Sequence, residues 1–343
     1  MVDMVDIKVG YTCNNDCFHC VIADKRRGLI REGKSTDRTI EEIMDHIKDA
    51  INQKAETVVL TGGEITIRRE FFQILDFAAK NVSHINLQTN GRMFFYDEYV
   101  NKVISYPNVN ATIAIHSCKP KVHEWITGAK GSFEQTIQGI KNLIKAGMKN
   151  RIGGKIVISK LNMDHISDIV QMCNDIGLKS INIAFPHAMG NAKLNFYDCI
   201  PKYSEIADEI IKTTKLSIKL GMHIDWEAIP LCFLKGYETF ASELIMVEHA
   251  VLKDLTHTDQ NYTKARQTTA KRKGPQCKEC RCNNICEGVW DDYEEGYDVS
   301  ELKPYPMKGP NDYIADPREF ESFKLRQVPL FKRNINTIVS NKI

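Results

Sequence analysis

Hydrophobic and polar positions follow two alternating periods along the first two thirds of the chain. Short β-branched runs at 6–11, 57–61, 84–89, 111–116, 153–159 and 180–185 have the length and composition of strands. Between them, apolar residues recur every three or four positions, the mark of an amphipathic helix. Ile40, Ile43, Met44, Ile47 and Ile51 share one such face, and Thr39 with Glu42 three residues on predicts a capping box at its start. Ser132 and Gln135 predict the same for a helix over 133–146 that ends before Gly147. Further helices are expected over 71–81, 97–105, 164–176 and 202–220. Six successive strand–helix units predict an α/β fold of parallel strands joined by right-handed crossovers. They fall short of the eight units of a closed barrel. Periodicity is equally satisfied by an open doubly wound sheet and by a partial barrel. The rhythm stops near residue 220, which suggests one domain over 1–220, a small module over 221–304 and a tail over 305–343. That tail is rich in Pro, Lys and Asn, with an apolar stretch at Val328–Phe331 and a short helix expected near Pro317–Lys324.

With 343 residues the chain can bury a large core, as one large domain plus a small one. Its 46 basic and 44 acidic residues leave a net charge of +2, so no global field recruits nucleic acid or a membrane surface. The basic run from Lys264 to Lys273 lacks interleaved aromatics and reads as a solvated loop, not a phosphate-binding patch. No apolar stretch is long enough to span a bilayer. Eleven cysteines without a preceding signal peptide point to reduced thiols in the cytoplasm, not to a disulfide framework.

Three of those cysteines carry the strongest chemical signal. Cys13, Cys17 and Cys20 follow the first strand with C-x3-C-x2-C spacing, which gives three thiolates on one tight loop. Such closely spaced cysteines hold iron–sulfur clusters, and three of them leave the fourth iron of a four-iron cluster open. A structural zinc site takes four ligands, and the fourth is missing locally. The run resembles the signature of the radical S-adenosylmethionine (radical SAM) superfamily. That resemblance implies a partial (β/α)6 TIM-like barrel, with the cluster loop after strand one and SAM bound at the open iron.

Parallel α/β folds gather their sites at the C-terminal ends of the strands. Thr61-Gly62-Gly63-Glu64 stands after strand two. Two glycines permit close backbone approach to a ligand, and the carboxylate can accept hydrogen bonds from an ammonium; an ordinary glycine turn is the plainer reading. The segment is similar to the one that holds the SAM amino group in the family, with Ile65 where proline is usual. Asn90, in Gln88-Thr89-Asn90-Gly91, is similar to the family's Thr-Asn-Gly turn. Ser117 beside His116, and Ser159, end strands four and five and could meet the ribose or be satisfied strand-end groups. His19 precedes the third cysteine, where the family usually has an aromatic, and is expected to pack near adenine through its backbone, not to ligate. His187 at the end of strand six is a candidate acid–base group. The stretch from His123 to Gly128 and Gly131-Ser132-Phe133 resembles the family's segment after strand four and predicts loop and helix-start geometry.

A second group reads Cys277-Lys278-Glu279-Cys280-Arg281-Cys282-Asn283-Asn284-Ile285-Cys286. It resembles the auxiliary-cluster segment of radical SAM enzymes with SPASM or twitch extensions. The resemblance implies a second four-iron cluster on Cys232, Cys277, Cys280 and Cys286, with Cys282 able to replace Cys232. A zinc knot of Cys277, Cys280, Cys282 and Cys286 is the alternative. Trp290, Tyr293 and Tyr297 are expected to pack over this cluster. Cys173 reads as core, and Cys118 and Cys199 have no partner spacing.

The family resemblance implies an oxidoreductase-type enzyme that cleaves SAM reductively and abstracts a hydrogen atom from its substrate. The net oxidation expected is a crosslink or other modification of a ribosomally made peptide, or dehydrogenation of a small sugar or aminocyclitol. A non-catalytic iron–sulfur electron carrier is the rival of another class, and Gly62–Glu64 argues against it. The expected partners are an electron donor such as flavodoxin or ferredoxin and a peptide or small-molecule substrate. Because the chain starts at strand one, a separate leader-peptide recognition protein is expected with a peptide substrate.

Overall fold

The computed structural model describes residues 2–309 and 312–326. Eight parallel strands form most of one sheet: β1 (Met4–Lys8), β2 (Thr57–Thr61), β3 (His84–Thr89), β4 (Val109–Ala114), β5 (Ile152–Val157), β6 (Ser180–Ala184), β7 (His223–Glu227) and β8 (Ala250–Lys253). The short β9 (Thr258–Asp259) adds antiparallel to β8. The sheet order is β7-β6-β5-β4-β3-β2-β1-β8-β9. From β1 to β7 the neighbours are sequential, so every crossover runs the same way. A doubly wound sheet reverses direction at a switch point, and no reversal occurs over these seven strands; this decides for the barrel-like arrangement.

The helices are α1 (Ala23–Arg31), α2 (Ile40–Asn52), α3 (Phe71–Asn81), α4 (Asp97–Val103), α5 (Pro120–Thr127), α6 (Ser132–Leu143), α7 (Ile166–Asp175), α8 (Gly190–Leu194), α9 (Phe196–Cys199), α10 (Tyr203–Leu220) and α11 (Tyr262–Ala265). Alternate strand residues pack against them: Val5, Ile7, Val58, Leu60, Ile85 and Leu87 lie in one buried cluster with Ile43, Ile47, Ile74 and Leu75. The other face of the sheet is polar. There the Lys155 ammonium donates to Asn182 Oδ1 and Glu227 Oε2, each at 2.5 Å, and Thr112 donates to Asn86 Oδ1 at 3.2 Å. A closed eight-strand barrel fills this space with branched apolar side chains; here it is left to hydrogen-bonding groups.

The expected strand and helix positions hold along 57–220 with shifts of a few residues at the ends. The Thr39–Glu42 capping box forms, with reciprocal bonds of 3.2 and 2.7 Å. The Ser132–Gln135 box does not: Gly131, at φ 77°, is the cap, and the Ser132 hydroxyl bonds Thr127 at 2.7 Å. The sheet also runs past residue 220. The charged His-Ile-Asp-Trp-Glu of β7 hides the alternation, and β8 returns to pair with β1 at the opposite edge. The basic run is not a solvated loop throughout. Arg266 and Lys271 are buried, and Glu287 pairs with them at 2.8 and 3.1 Å. Residues 312–326 are more than a surface drape, since Arg326 is 2% exposed and donates to Ile224 O on β7 at 2.6 Å. Around Pro317–Lys324 the chain forms two short 3-10 turns, Pro317–Glu319 and Glu321–Leu325. The Val328–Phe331 stretch lies outside the described residues. No helix among them is long and apolar enough to cross a membrane.

Candidate functional site

The loop carrying Cys13, Cys17 and Cys20 connects β1 to α1 and is bonded on all sides by residues beyond the C-terminal strand ends. After β2, Gly63 N donates to Gly10 O at 2.7 Å and Glu64 N to Thr12 O at 2.8 Å. A Cβ on Gly62, whose φ is +129°, would stand 2.2 Å from Gly10 O, and one on Gly63 would stand 2.1 Å from Thr12 O. The close approach these glycines permit is thus to the cysteine loop itself. After β3, the Asn90 amide donates to Asn14 Oδ1 at 2.7 Å, and Arg92 donates to Asn14 O at 2.5 Å and Asn15 Oδ1 at 2.7 Å. At the end of α5, Thr127 O and Ile126 O accept from Asp16 N and Phe18 N at 2.9 and 2.8 Å. After β6, Asn191 bonds Cys17 O through its side chain and Cys20 O through its backbone, both at 2.9 Å. At the β8 end, Asp254 accepts from Tyr11 and, at 2.6 Å, from Lys25.

Glu64 is the keystone beneath the loop. It is 2% exposed, and Oε1 accepts from Thr66 N, Thr66 Oγ1 and Thr89 Oγ1 at 3.0, 2.5 and 2.7 Å. Its Oε2 accepts from Asn90 N at 2.6 Å. Burial raises its pKa, and the Thr66, Asn90 and Thr89 donors pull it back. The carboxylate therefore ties the β2 end to the β3 end, and Oε2 keeps lone-pair capacity for one more donor.

The remaining strand-end residues separate by how they are satisfied. The Ser117 hydroxyl accepts from Lys119 N at 3.0 Å, an ordinary strand-end use. The Ser159 hydroxyl is buried with no hydrogen-bond partner among the described residues. Asn162, which no motif marked, accepts from Ser159 N at 2.7 Å and donates to His116 O at 2.9 Å, joining the β4 and β5 ends. His19 turns its ring inward against His116, with centroids 4.6 Å apart and planes at 65°. Burial lowers the pKa of His19 to about 4 and that of His116 well below the usual imidazole value. Cys17, His19 and His116 bring one ligand atom each within 4.8 Å of one another. Burial also raises the Cys13 thiol to about 11 and the Cys17 thiol further still. Those thiols must lose their protons to ligate, so metal binding at the loop would release protons.

The second cysteine group surrounds a pocket of ≈ 360 Å³. Cys232, Cys277, Cys280, Cys282 and Cys286 line it, with Leu231, Leu302, Pro304 and Tyr305 as its apolar walls. Tyr305 N donates to the Cys280 sulfur at 3.3 Å. The Cys282 thiol also donates to Cys280, which lowers Cys280 to about 6 and raises Cys282. Trp290, Tyr293 and Tyr297 do not cover this pocket as expected. Trp290 stacks on His187 at 4.2 Å, and Tyr293 packs against Tyr203 and Tyr297 at 4.9 and 5.3 Å. His187 Nδ1 is bound to Asp292, so it joins the β6 end to the C-terminal module.

Both sites suit iron–sulfur ligation by donor type: a three-thiol loop, and a pocket lined by five cysteines. Residues 7–173 match the family model described as the radical SAM superfamily. A probable GTP 3′,8-cyclase of Sulfurisphaera tokodaii is 26% identical over 218 residues, 62% of this chain and 64% of that protein. The chain thus spans less than two thirds of that relative's length. The mycofactocin maturase MftC of Mycobacterium tuberculosis is 24% identical over 167 residues, 49% of this chain and 40% of MftC. Among solved structures, native anSMEcpe with bound AdoMet and Kp18Cys peptide aligns at a TM-score of 0.60 and 16% identity, over 99% of this chain and 100% of that one. Streptococcus suis SuiB bound to precursor peptide SuiA aligns at 0.59 and 12% identity, over 83% and 71%. At these identities the likeness is one of fold.

Proposed function

We propose, from the radical SAM superfamily domain that this chain carries, that Cys13, Cys17 and Cys20 hold a four-iron cluster and that the protein oxidises a substrate bound over the polar face of the sheet. The observation that carries this is the seating of the three-cysteine loop on the ends of β2, β3 and β6 and of α5. When bound, the cluster and SAM supply one-electron cleavage to methionine and a 5′-deoxyadenosyl radical. The chain's part is orientation: Glu64 Oε2 offers an acceptor for the SAM ammonium, and Ser159 offers an unpartnered hydroxyl for the ribose. His19 contributes its backbone near adenine. Gly62, Gly63 and Asn90 act one step back, by fixing the loop, and Ser117 holds the strand end.

A second four-iron cluster on Cys232, Cys277, Cys280 and Cys286 would supply an electron acceptor. The C-x2-C-x5-C spacing of Cys277, Cys280 and Cys286 favours this set over one that includes Cys282.

A peptide is the substrate class best supported, because the match to the peptide-bound anSMEcpe structure covers 99% of this chain, including the C-terminal module. The polar groups Lys155, Asn182 and Glu227 favour a second reading, a small polyhydroxylated metabolite. An electron donor of the flavodoxin or ferredoxin type and a cytoplasmic setting complete the proposal. The test is anaerobic protein with strong reductant and SAM: 5′-deoxyadenosine should form slowly, and Cys17→Ala should form none. Deuterated candidate peptides and sugars then report the substrate by transfer of deuterium to 5′-deoxyadenosine. Product formed equally by Cys17→Ala refutes the assignment.

A further inference from the structure

His116 ends the run after β4, and its backbone is hydrogen-bonded on both sides. Its backbone N–H donates to His123 Nδ1 at 3.3 Å, and its carbonyl accepts from Asn162 at 2.9 Å. Its ring is 3% exposed and wedged edge-on against His19, which is 9% exposed. Yet among the described residues Nδ1 of each ring is buried without a hydrogen-bond partner. A buried polar atom left unpaired costs about 1–3 kcal/mol, so native structures rarely keep one without a use. The nearest group that changes character on loading is Cys17, whose sulfur lies within 4.8 Å of a nitrogen of each ring. Metal binding removes the thiol proton and turns that sulfur into an anionic acceptor facing the imidazoles.

The geometry points to His116 as a positioning residue whose ring N–H hydrogen-bonds the Cys17 sulfur and sets the reduction potential of the cluster held there, with His19 as the wedge that fixes its angle. This rests on the assignment of Cys17 as a cluster ligand. Hydrogen bonds to cluster sulfurs stabilise the more negative reduced form and so raise the potential. A thiolate with two imidazoles is also a zinc donor set. The placement of Cys17 between two further cysteines on the same loop favours the cluster.

The experiment is a redox titration of reconstituted protein, followed by the electron paramagnetic resonance signal that responds to SAM. His116→Leu should keep its iron and shift to a more negative potential. The expected size is about a tenfold lower ratio of reduced to oxidised cluster at fixed ambient potential, or about 59 mV for one electron. His116→Asn, which retains an N–H donor, should recover part of the shift. Wild-type protein labelled with 15N-histidine should show weak nitrogen coupling to the reduced cluster, a readout that needs no variant to fold. An unchanged potential in His116→Leu with iron retained, or no nitrogen coupling in the wild type, overturns the inference alone. Stoichiometric zinc at the N-terminal loop, lost in His116→Leu, overturns both it and the cluster assignment.

Discussion

The two cysteine groups are held in opposite ways. Cys13, Cys17 and Cys20 hang from a loop whose amides and carbonyls are bonded by residues beyond β2, β3 and β6 and by the end of α5. Cys277, Cys280 and Cys286 lie in a run of 3-10 and other tight turns, and their pocket is completed by the remote Cys232 and the segment around Leu302–Tyr305. The regular structure beside them is a two-residue pairing of β10 (Lys271–Arg272) with β11 (Val289–Trp290). A loop seated on strand ends has its shape before any metal arrives. A pocket walled by turns gains order from what binds inside it, because binding energy there is also folding energy. One group is therefore held on a preformed frame, and at the other a bound metal or cluster would also act as a staple.

The largest expected effect separates the two groups by function. Cys17→Ala should abolish 5′-deoxyadenosine formation and cut iron from about eight to about four per chain, the content of one of two four-iron clusters. Cys277→Ala with Cys280→Ala should lose the same iron yet keep SAM cleavage while stopping substrate oxidation. If both variants lose SAM cleavage, the division of labour fails.

Next comes the make-up of the staple. Cys232→Ala should lose about half the iron and expose 271–305 to limited proteolysis, while the barrel stays intact. Cys282→Ala should keep both its iron and its protection. The reverse pattern would put all four ligands in the 277–286 run.

Within the rigid frame, Glu64→Gln sharpens the comparison. Its amide must place N–H groups against donors that now face a carboxylate, at a cost of about 1.5–3 kcal/mol. Chemical denaturation should show that loss, and SAM affinity should fall with it. Unchanged stability would mean the four hydrogen bonds to Glu64 carry no weight.

Gly63→Ala is the mildest of the four. The added Cβ clashes with Thr12 O, and overpacking of this kind costs about 1–3 kcal/mol. Iron uptake should weaken at the N-terminal loop and stay normal at the C-terminal pocket, as Mössbauer spectra of the two clusters can resolve. Equal losses at both would show that the two groups are coupled and not separately built.

Much of the barrel is legible in the chain because its strands and helices carry local periods. Side-chain alternation and capping residues place the β2–β6 runs and α2, α3 and α10. β7 escapes them because alternation in His-Ile-Asp-Trp-Glu puts charge on the polar inner face, which a pattern sought as apolar does not reveal. The thiol spacing of 13–20 and 277–286 likewise marks both cysteine sites. Gly62, Gly63, Glu64 and Asn90 stand out in the sequence as ligand-facing groups, but in the structure Gly62, Gly63 and Asn90 first of all seat the cysteine loop.

Sequence by itself determined the local elements and the spacing of the two cysteine groups, since period and spacing are properties of neighbouring residues. Only the tertiary structure decided the rest. The register of the sheet sets Gly63 against Thr12, Arg92 against Asn14 and Asn191 against Cys17, contacts between residues far apart in the chain. It also brings His19, Cys17 and His116 together, with Nδ1 of each imidazole unpaired among the described residues. No spacing rule encodes such a meeting, because it follows from how strands one and four are set across the same sheet.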